Sequence, residues 1–142
     1  SYIKGKFLSH KMPEVQGEAM KKTVLVVEDD VFLSQLLRNR LSKEGINVIG
    51  ARDGEEALKI LRSEKPDLIL LDLILPKKSG FEVLEEIQSD PLLERAPTII
   101  ISNLGQDSDV ARGKTLGAIE YFVKAQTSID DLIVKIKDFL KK

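Results

Sequence analysis

The chain predicts an α/β fold in which a five-stranded parallel sheet carries helices on both faces. Three observations predict it. Short segments rich in Val, Ile and Leu alternate along the chain with longer segments of helical period, giving five βα units. The run Leu68-Ile69-Leu70-Leu71 is apolar without interruption, the pattern of a strand buried on both faces. The strand candidates also run directly into chemically useful residues: Glu28-Asp29-Asp30, Asp72, Ser102 and Lys124. In a parallel sheet covered by helices these carboxyl ends share one edge, where ligands bind.

The elements follow in order. Thr23 to Val27 is the first strand. A helix begins near Asp30, with Leu33, Leu36, Leu37 and Leu41 on its inner face, and Gly45 closes it. Ile46 to Ala51 alternates loosely and reads as strand two. Asp53 caps the next helix, with Glu56 at the capping-box position and Ala57, Leu58 and Leu61 facing inward; Pro66 stops its continuation. After strand three, Ser79 to Glu82 is a second capping box, and Phe81, Leu84 and Ile87 face the sheet. Asp90 to Pro97 is a loop. Thr98 to Ile101 is strand four, ending in Ser102. The helix from about Gln106 to Leu116 has only a thin apolar face of Val110, Ala111 and Leu116. Ile119 to Val123 is strand five. The last helix starts near Ser128 and carries Ile129, Leu132, Ile133, Ile136 and Leu140 at spacings of three and four.

Residues 1–19 are basic and polar, with no sustained period. They read as an expression leader or a flexible arm, and Met20-Lys21-Lys22 as the start of the domain over residues 20–142. No linker or second domain is expected after the last helix. The formal net charge is −1, which gives no broad reason to bind nucleic acid or an anionic membrane. Cys is absent, which removes disulfides, thiolate metal sites and a Cys nucleophile. No apolar stretch is long enough to span a bilayer. A cytoplasmic location is expected. The single His, His10, lies in the leader and reads as a solvated residue.

What remains is a set of strand-end residues with one chemistry in common. Carboxylates with few protein partners and room for water suit Mg²⁺. Ser102 and Lys124 suit the oxygens of a phosphoryl group. Together with Asp72 as a nucleophilic carboxylate, they describe an aspartate that accepts a phosphoryl group with metal assistance. Asp30 reads as a helix cap. Taken singly, Ser102 reads as a turn hydroxyl and Lys124 as a surface lysine. Tyr121 reads equally as a half-buried strand aromatic.

The motifs Val26-Val27-Glu28-Asp29-Asp30, Leu70-Leu71-Asp72-Leu73-Ile74-Leu75-Pro76, Ile100-Ile101-Ser102-Asn103 and Tyr121-Phe122-Val123-Lys124 resemble the receiver domain of bacterial two-component response regulators, of the stand-alone, chemotaxis-regulator type. The likeness covers about residues 21–142. It implies a flavodoxin-like strand order 2-1-3-4-5. It also implies that Asp72 takes a phosphoryl group from a sensor histidine kinase or a phosphotransfer protein, with Glu28, Asp29, Asp72 and the carbonyl of Ile74 binding Mg²⁺. Ser102 and Lys124 are then expected to hold phosphoryl oxygens, and Tyr121 to be a switch aromatic that responds to Ser102. The surface of helix four, strand five and helix five would be presented to a downstream protein partner. The protein is expected to be a monomer or weak dimer, without a DNA-binding domain in this chain, and a phosphoacceptor rather than an enzyme.

Two residues depart from that pattern: Ala125 follows Lys124 where the family usually has Pro, and Asn103 follows Ser102 where a small residue is usual. The alternative they leave is a degenerate receiver that binds partners without phosphorylation. A phosphohydrolase of the haloacid-dehalogenase type needs a second Asp two residues after the nucleophile, where this chain has Ile74. A flavin-nucleotide binder needs a phosphate loop after strand one, where Glu28-Asp29-Asp30 would repel the phosphate.

Overall fold

The computed structural model describes residues 21–93 and 96–141. The expected leader over residues 1–19, with His10, lies outside them. Strands and helices alternate as β1 (Thr23–Val27), α1 (Val31–Lys43), β2 (Asn47–Ala51), α2 (Gly54–Leu61), β3 (Leu68–Leu71), α3 (Gly80–Ser89), β4 (Thr98–Ser102), α4 (Asp107–Thr115), β5 (Glu120–Val123) and α5 (Ile129–Leu140). A short 3₁₀ turn, Lys124–Gln126, follows β5. All strand pairs are parallel, and the sheet order is β2-β1-β3-β4-β5.

Successive residues of a strand point to opposite faces, so each central strand feeds two cores. Leu25, Val27, Ile69, Leu71 and Ile100 pack with α2 and α3 on one face, through Leu58, Leu61, Phe81 and Leu84. Val24, Val26, Leu70, Ile99 and Ile101 pack with α1 and α5 on the other, through Leu37, Leu41, Leu132 and Ile136. This double burial is why β1, β3 and β4 read as unbroken apolar runs.

The caps largely follow the sequence. Asp30 Oδ1 accepts from the amides of Phe32 and Leu33, Asp53 Oδ1 from Glu56, and Ser79 Oγ from Glu82. Glu56 differs from a regular capping box: its carboxylate accepts from the Arg52 amide, one residue before the cap. Gly45 ends α1 at φ +80°, a conformation that favours glycine. One expectation is corrected. Leu36 is 42% exposed and does not join Leu37 and Leu41 in the core. Residues 33, 37 and 41 form the inward stripe, and position 36 rotates away from it. Phe32 and Val31, beside it at the helix start, are also exposed.

At the amino edge of the sheet, Lys22, Asp67, Pro97, Ile119, Phe139 and Leu140 border a small cavity. No helix among the described residues is long and apolar enough to cross a membrane.

Candidate functional site

The register brings the strand-end residues together. Val27 pairs with Leu71, so Glu28 and Asp72 come level at the carboxyl edge of neighbouring strands. The backbone confirms the alignment: the Asp72 amide donates to Val27 O at 3.0 Å, and the Glu28 amide to Ala51 O at 3.0 Å. On the other side, Ser102 pairs with Val123, so Lys124 emerges one residue beyond Ser102.

Lys124 is the centre of the arrangement. Its ammonium lies 2.9 Å from Asp72 Oδ2 and 2.9 Å from Glu28 Oε1. Both acids are buried, Glu28 at 2% and Asp72 at 4% exposure. The second Asp72 oxygen accepts from the Ile74 amide at 3.2 Å, and Glu28 Oε2 from the Asp30 amide at 3.0 Å. The two carboxylates and the ammonium form one partly buried charged cluster.

Burial pushes the Glu28 carboxyl above the usual carboxylate range; the Asp30 amide and Lys124 pull it down, and the nearby Asp72 pushes it up. For Lys124, burial pulls the ammonium down. Its bonds to Asp72 and Glu28 outweigh that and leave it above its ordinary value. The lysine is therefore held firmly charged.

The expected metal-binding residues are hard oxygen donors, a set that suits an ion such as Mg²⁺, which keeps several waters and takes few protein ligands. Their placement differs from a closed cage. Asp29 is exposed, and it borders a crevice of about 620 Å³ together with Arg52, Asp53, Lys59, Pro76 and Lys77. Among the described residues, no three His, Cys, Asp or Glu side chains gather into a metal cluster. Both Glu28 oxygens already face Asp30 and Lys124. The expected donors, the carboxylates of Glu28, Asp29 and Asp72 with the Ile74 carbonyl, thus fit Mg²⁺ as a sparse set completed by water.

Ser102 is fully buried, and its Oγ accepts from the Leu104 amide at 3.4 Å. It is tied to its own loop rather than to Asp72. Tyr121 is half-buried, and its hydroxyl donates to the Leu104 carbonyl. Ser102 and Tyr121 therefore meet at Leu104, a link no sequence pattern indicated. Burial raises the Tyr121 hydroxyl above its ordinary range, helped by the charges of Asp109 and Asp72.

The departures have clear local outcomes. No cis peptide bond occurs among the described residues, so Lys124 and Ala125 are joined in trans. The 3₁₀ turn is held instead by Thr127, whose hydroxyl donates to Val123 O at 2.9 Å. Thr127 was not singled out by sequence, because a Thr in a polar loop carries no distinctive signal. Asn103 is exposed.

The family description "Response regulator receiver domain" matches residues 24–137. A probable transcriptional regulator, ycf27 of Cyanophora paradoxa, is 38% identical over 125 residues, covering 88% of this chain and 51% of that protein. The chain spans about half the length of the curated relatives it matches. Among solved structures, the phosphorylated cyanobacterial phytochrome response regulator RcpA is 33% identical with a TM-score of 0.75, covering 86% of this chain and 95% of that one. The Mn²⁺-bound form of the response regulator Rcp1 is 34% identical with a TM-score of 0.71, covering 82% and 90%.

Proposed function

The chain belongs to the response regulator receiver domain family, and from that premise we propose that it is a phosphorylation-activated signalling switch whose phosphoacceptor is Asp72. The observation that carries this reading is the Lys124 ammonium, 2.9 Å from both Asp72 and Glu28 at the carboxyl edge of the sheet.

In this reading the donor is a phosphohistidine on a sensor kinase or a phosphotransfer protein. A carboxylate oxygen of Asp72 bonds to phosphorus as the bond from phosphorus to the imidazole nitrogen breaks, and the imidazole leaves. Lys124 already faces Asp72 and offsets negative charge on the transferred group. The Ile74 amide holds one Asp72 oxygen and orients the carboxylate. Glu28, Asp29, Asp72 and the Ile74 carbonyl would hold Mg²⁺. That ion, when bound, supplies further neutralisation of phosphoryl oxygens.

Ser102 would donate its O–H to a phosphoryl oxygen, while its Oγ accepts from the Leu104 amide. The Leu104 amide donates to Ser102 and its carbonyl accepts from Tyr121, so a shift of Ser102 toward the phosphoryl group would be felt at the aromatic ring. Tyr121 would thereby carry the change to the face of α4, β5 and α5, where a downstream protein binds. The protein is a phosphoacceptor rather than a turnover enzyme, and Ile74 supplies no general acid. It would work in the cytoplasm, as a monomer or a weak dimer.

The test is intact mass after incubation with acetyl phosphate, with and without Mg²⁺, on the wild type and Asp72→Asn. A Mg²⁺-dependent gain of one phosphoryl group, absent in the variant, is expected. Acceptance retained in Asp72→Asn overturns the assignment. A wild type that takes no phosphoryl group from acetyl phosphate or from a phosphohistidine donor favours a phosphorylation-independent binding module.

A further inference from the structure

We infer that Gly54, at the start of α2, is a positioning residue for the loop that carries Asp72 and Ile74. The inference rests on the functional reading above for its consequence, and on packing for its geometry. Residues 72–79 leave β3 at Asp72 and enter α3 after Ser79. Two glycines grip that segment from opposite ends. A Cβ on Gly80 would lie 2.3 Å from Asp72 O and 2.7 Å from Leu73 Cα. A Cβ on Gly54 would lie 2.2 Å from Lys78 O and 2.6 Å from Lys78 Cβ. These contacts involve backbone or Cβ atoms, which cannot swing aside as the end of a long side chain can.

Gly80 belongs to the segment's own helix, so its closeness is local. Gly54 comes from a different βα unit. It brings the turn after β2 against the loop after β3. The contact is reinforced at neighbouring residues: the Gly54 amide approaches Pro76 O at 3.5 Å, and Pro76 O also accepts from the Lys78 amide at 2.7 Å. Asp53 lies 3.8 Å from the Lys77 ammonium. Lys77 itself has φ +67°, a conformation a side-chain-bearing residue rarely holds unless its surroundings impose it. The α2 turn is one such constraint. Its residues Asp53 and Arg52, with Pro76 and Lys77 opposite, also border the crevice beside Asp29.

A side chain at position 54 must push Lys78 and Pro76 away. Pro76 is two residues from Ile74, whose carbonyl is a proposed cation ligand and whose amide holds Asp72. Residues that orient ligands from behind typically alter metal affinity about 10-fold or more when changed. Gly54→Ala should therefore loosen the loop and weaken Mg²⁺ binding beyond what loss of stability alone does.

Gly45 supplies the control. It has φ +80°, and a Cβ there would meet nothing within 4 Å, so Gly45→Ala strains the backbone without touching the loop. The experiment compares wild type, Gly54→Ala and Gly45→Ala by thermal unfolding, by hydrogen exchange of residues 73–79, and by the Mg²⁺ concentration giving half-maximal phosphorylation from acetyl phosphate. Gly54→Ala should speed exchange in the loop and raise the Mg²⁺ midpoint about 10-fold. Gly45→Ala should lower the unfolding temperature and leave both unchanged. A folded Gly54→Ala protein with wild-type exchange and midpoint overturns the inference.

A second arm needs no variant. In the wild type, amides of residues 54–56 and of Ile74, Leu75, Lys77 and Lys78 should open together, and independent opening overturns the inference even where Gly54→Ala does not fold. If the wild type accepts no phosphoryl group, the functional reading fails, while the exchange comparison still decides whether Gly54 holds the loop.

Discussion

Glu28 shows how much a single side chain here gives up for its place. It sits at 2% exposure beside Asp72, and burial raises its carboxyl above the unfolded reference of 4.5. A raised acid means the folded state binds more protons, so stability falls as pH rises from 4.5 through the raised value. Glu28→Gln removes that loss. Its stability relative to wild type should improve as pH rises from 4.5 through the raised value and then level off, measured by urea unfolding at each pH. Lys124 acts at the other end of the scale. Its ammonium is raised above 10.5, so the stability it contributes is intact below that pH and is lost as pH rises through the higher value. Ile74, whose amide holds Asp72, is 54% exposed, and Leu104 lies two residues past Ser102. They should hinder the water that hydrolyses an aspartyl phosphate. Ile74→Asn is expected to shorten the phospho-form's lifetime, read by intact mass over time. Asp72, Glu28 and Lys124 were legible in the sequence because each ends an apolar run, and a parallel sheet aligns such ends. The meeting of Ser102 and Tyr121 at Leu104 was not, since it depends on the path of an irregular loop.

Among the α-helices, α4 is the least anchored. Its only buried residue is Gly113, which backs onto Ile100 and the Tyr121 ring. Val110 is half-buried and Ala111 exposed. Further ties run to α3: the Arg112 guanidinium lies 4.1 Å from the Phe81 ring centroid and 3.7 Å from Glu85, and Gln88 donates to Leu116 O at 2.9 Å. Few apolar contacts and exposed backbone mark a segment that opens at low cost. Amides of α4 should exchange before those of the other helices. Arg112→Ala should cost about 0.5–1 kcal/mol, the range of an exposed cation–π contact, in urea unfolding. The thin apolar stripe of α4 was visible in its sequence. The seating of Gly113 was not, because glycine adds nothing to a hydrophobic period. The opposite case is Leu36, whose apolar side chain suggested the core while the helix turned it outward.

Across the whole molecule, one sheet divides two cores, and every central strand contributes to both. A cavity in either should therefore weaken a single cooperative unit. Leu70→Ala, on the α1 and α5 face, should cost about 2–5 kcal/mol, with helix and tertiary signals lost in one urea transition. The number of strands and their burial could be read from alternating periods. Their order could not, because apolar runs do not encode which neighbour each will pair with; it came from likeness to a family and is confirmed by the pairings. The same parallel arrangement has a practical result. Lys22 and Leu140 border one cavity at the amino edge, while Asp72 and its partners occupy the carboxyl edge. A fluorescent protein or a surface anchor joined through either of those two positions would thus sit at the far end from the chemistry, leaving the reactive edge facing open solution.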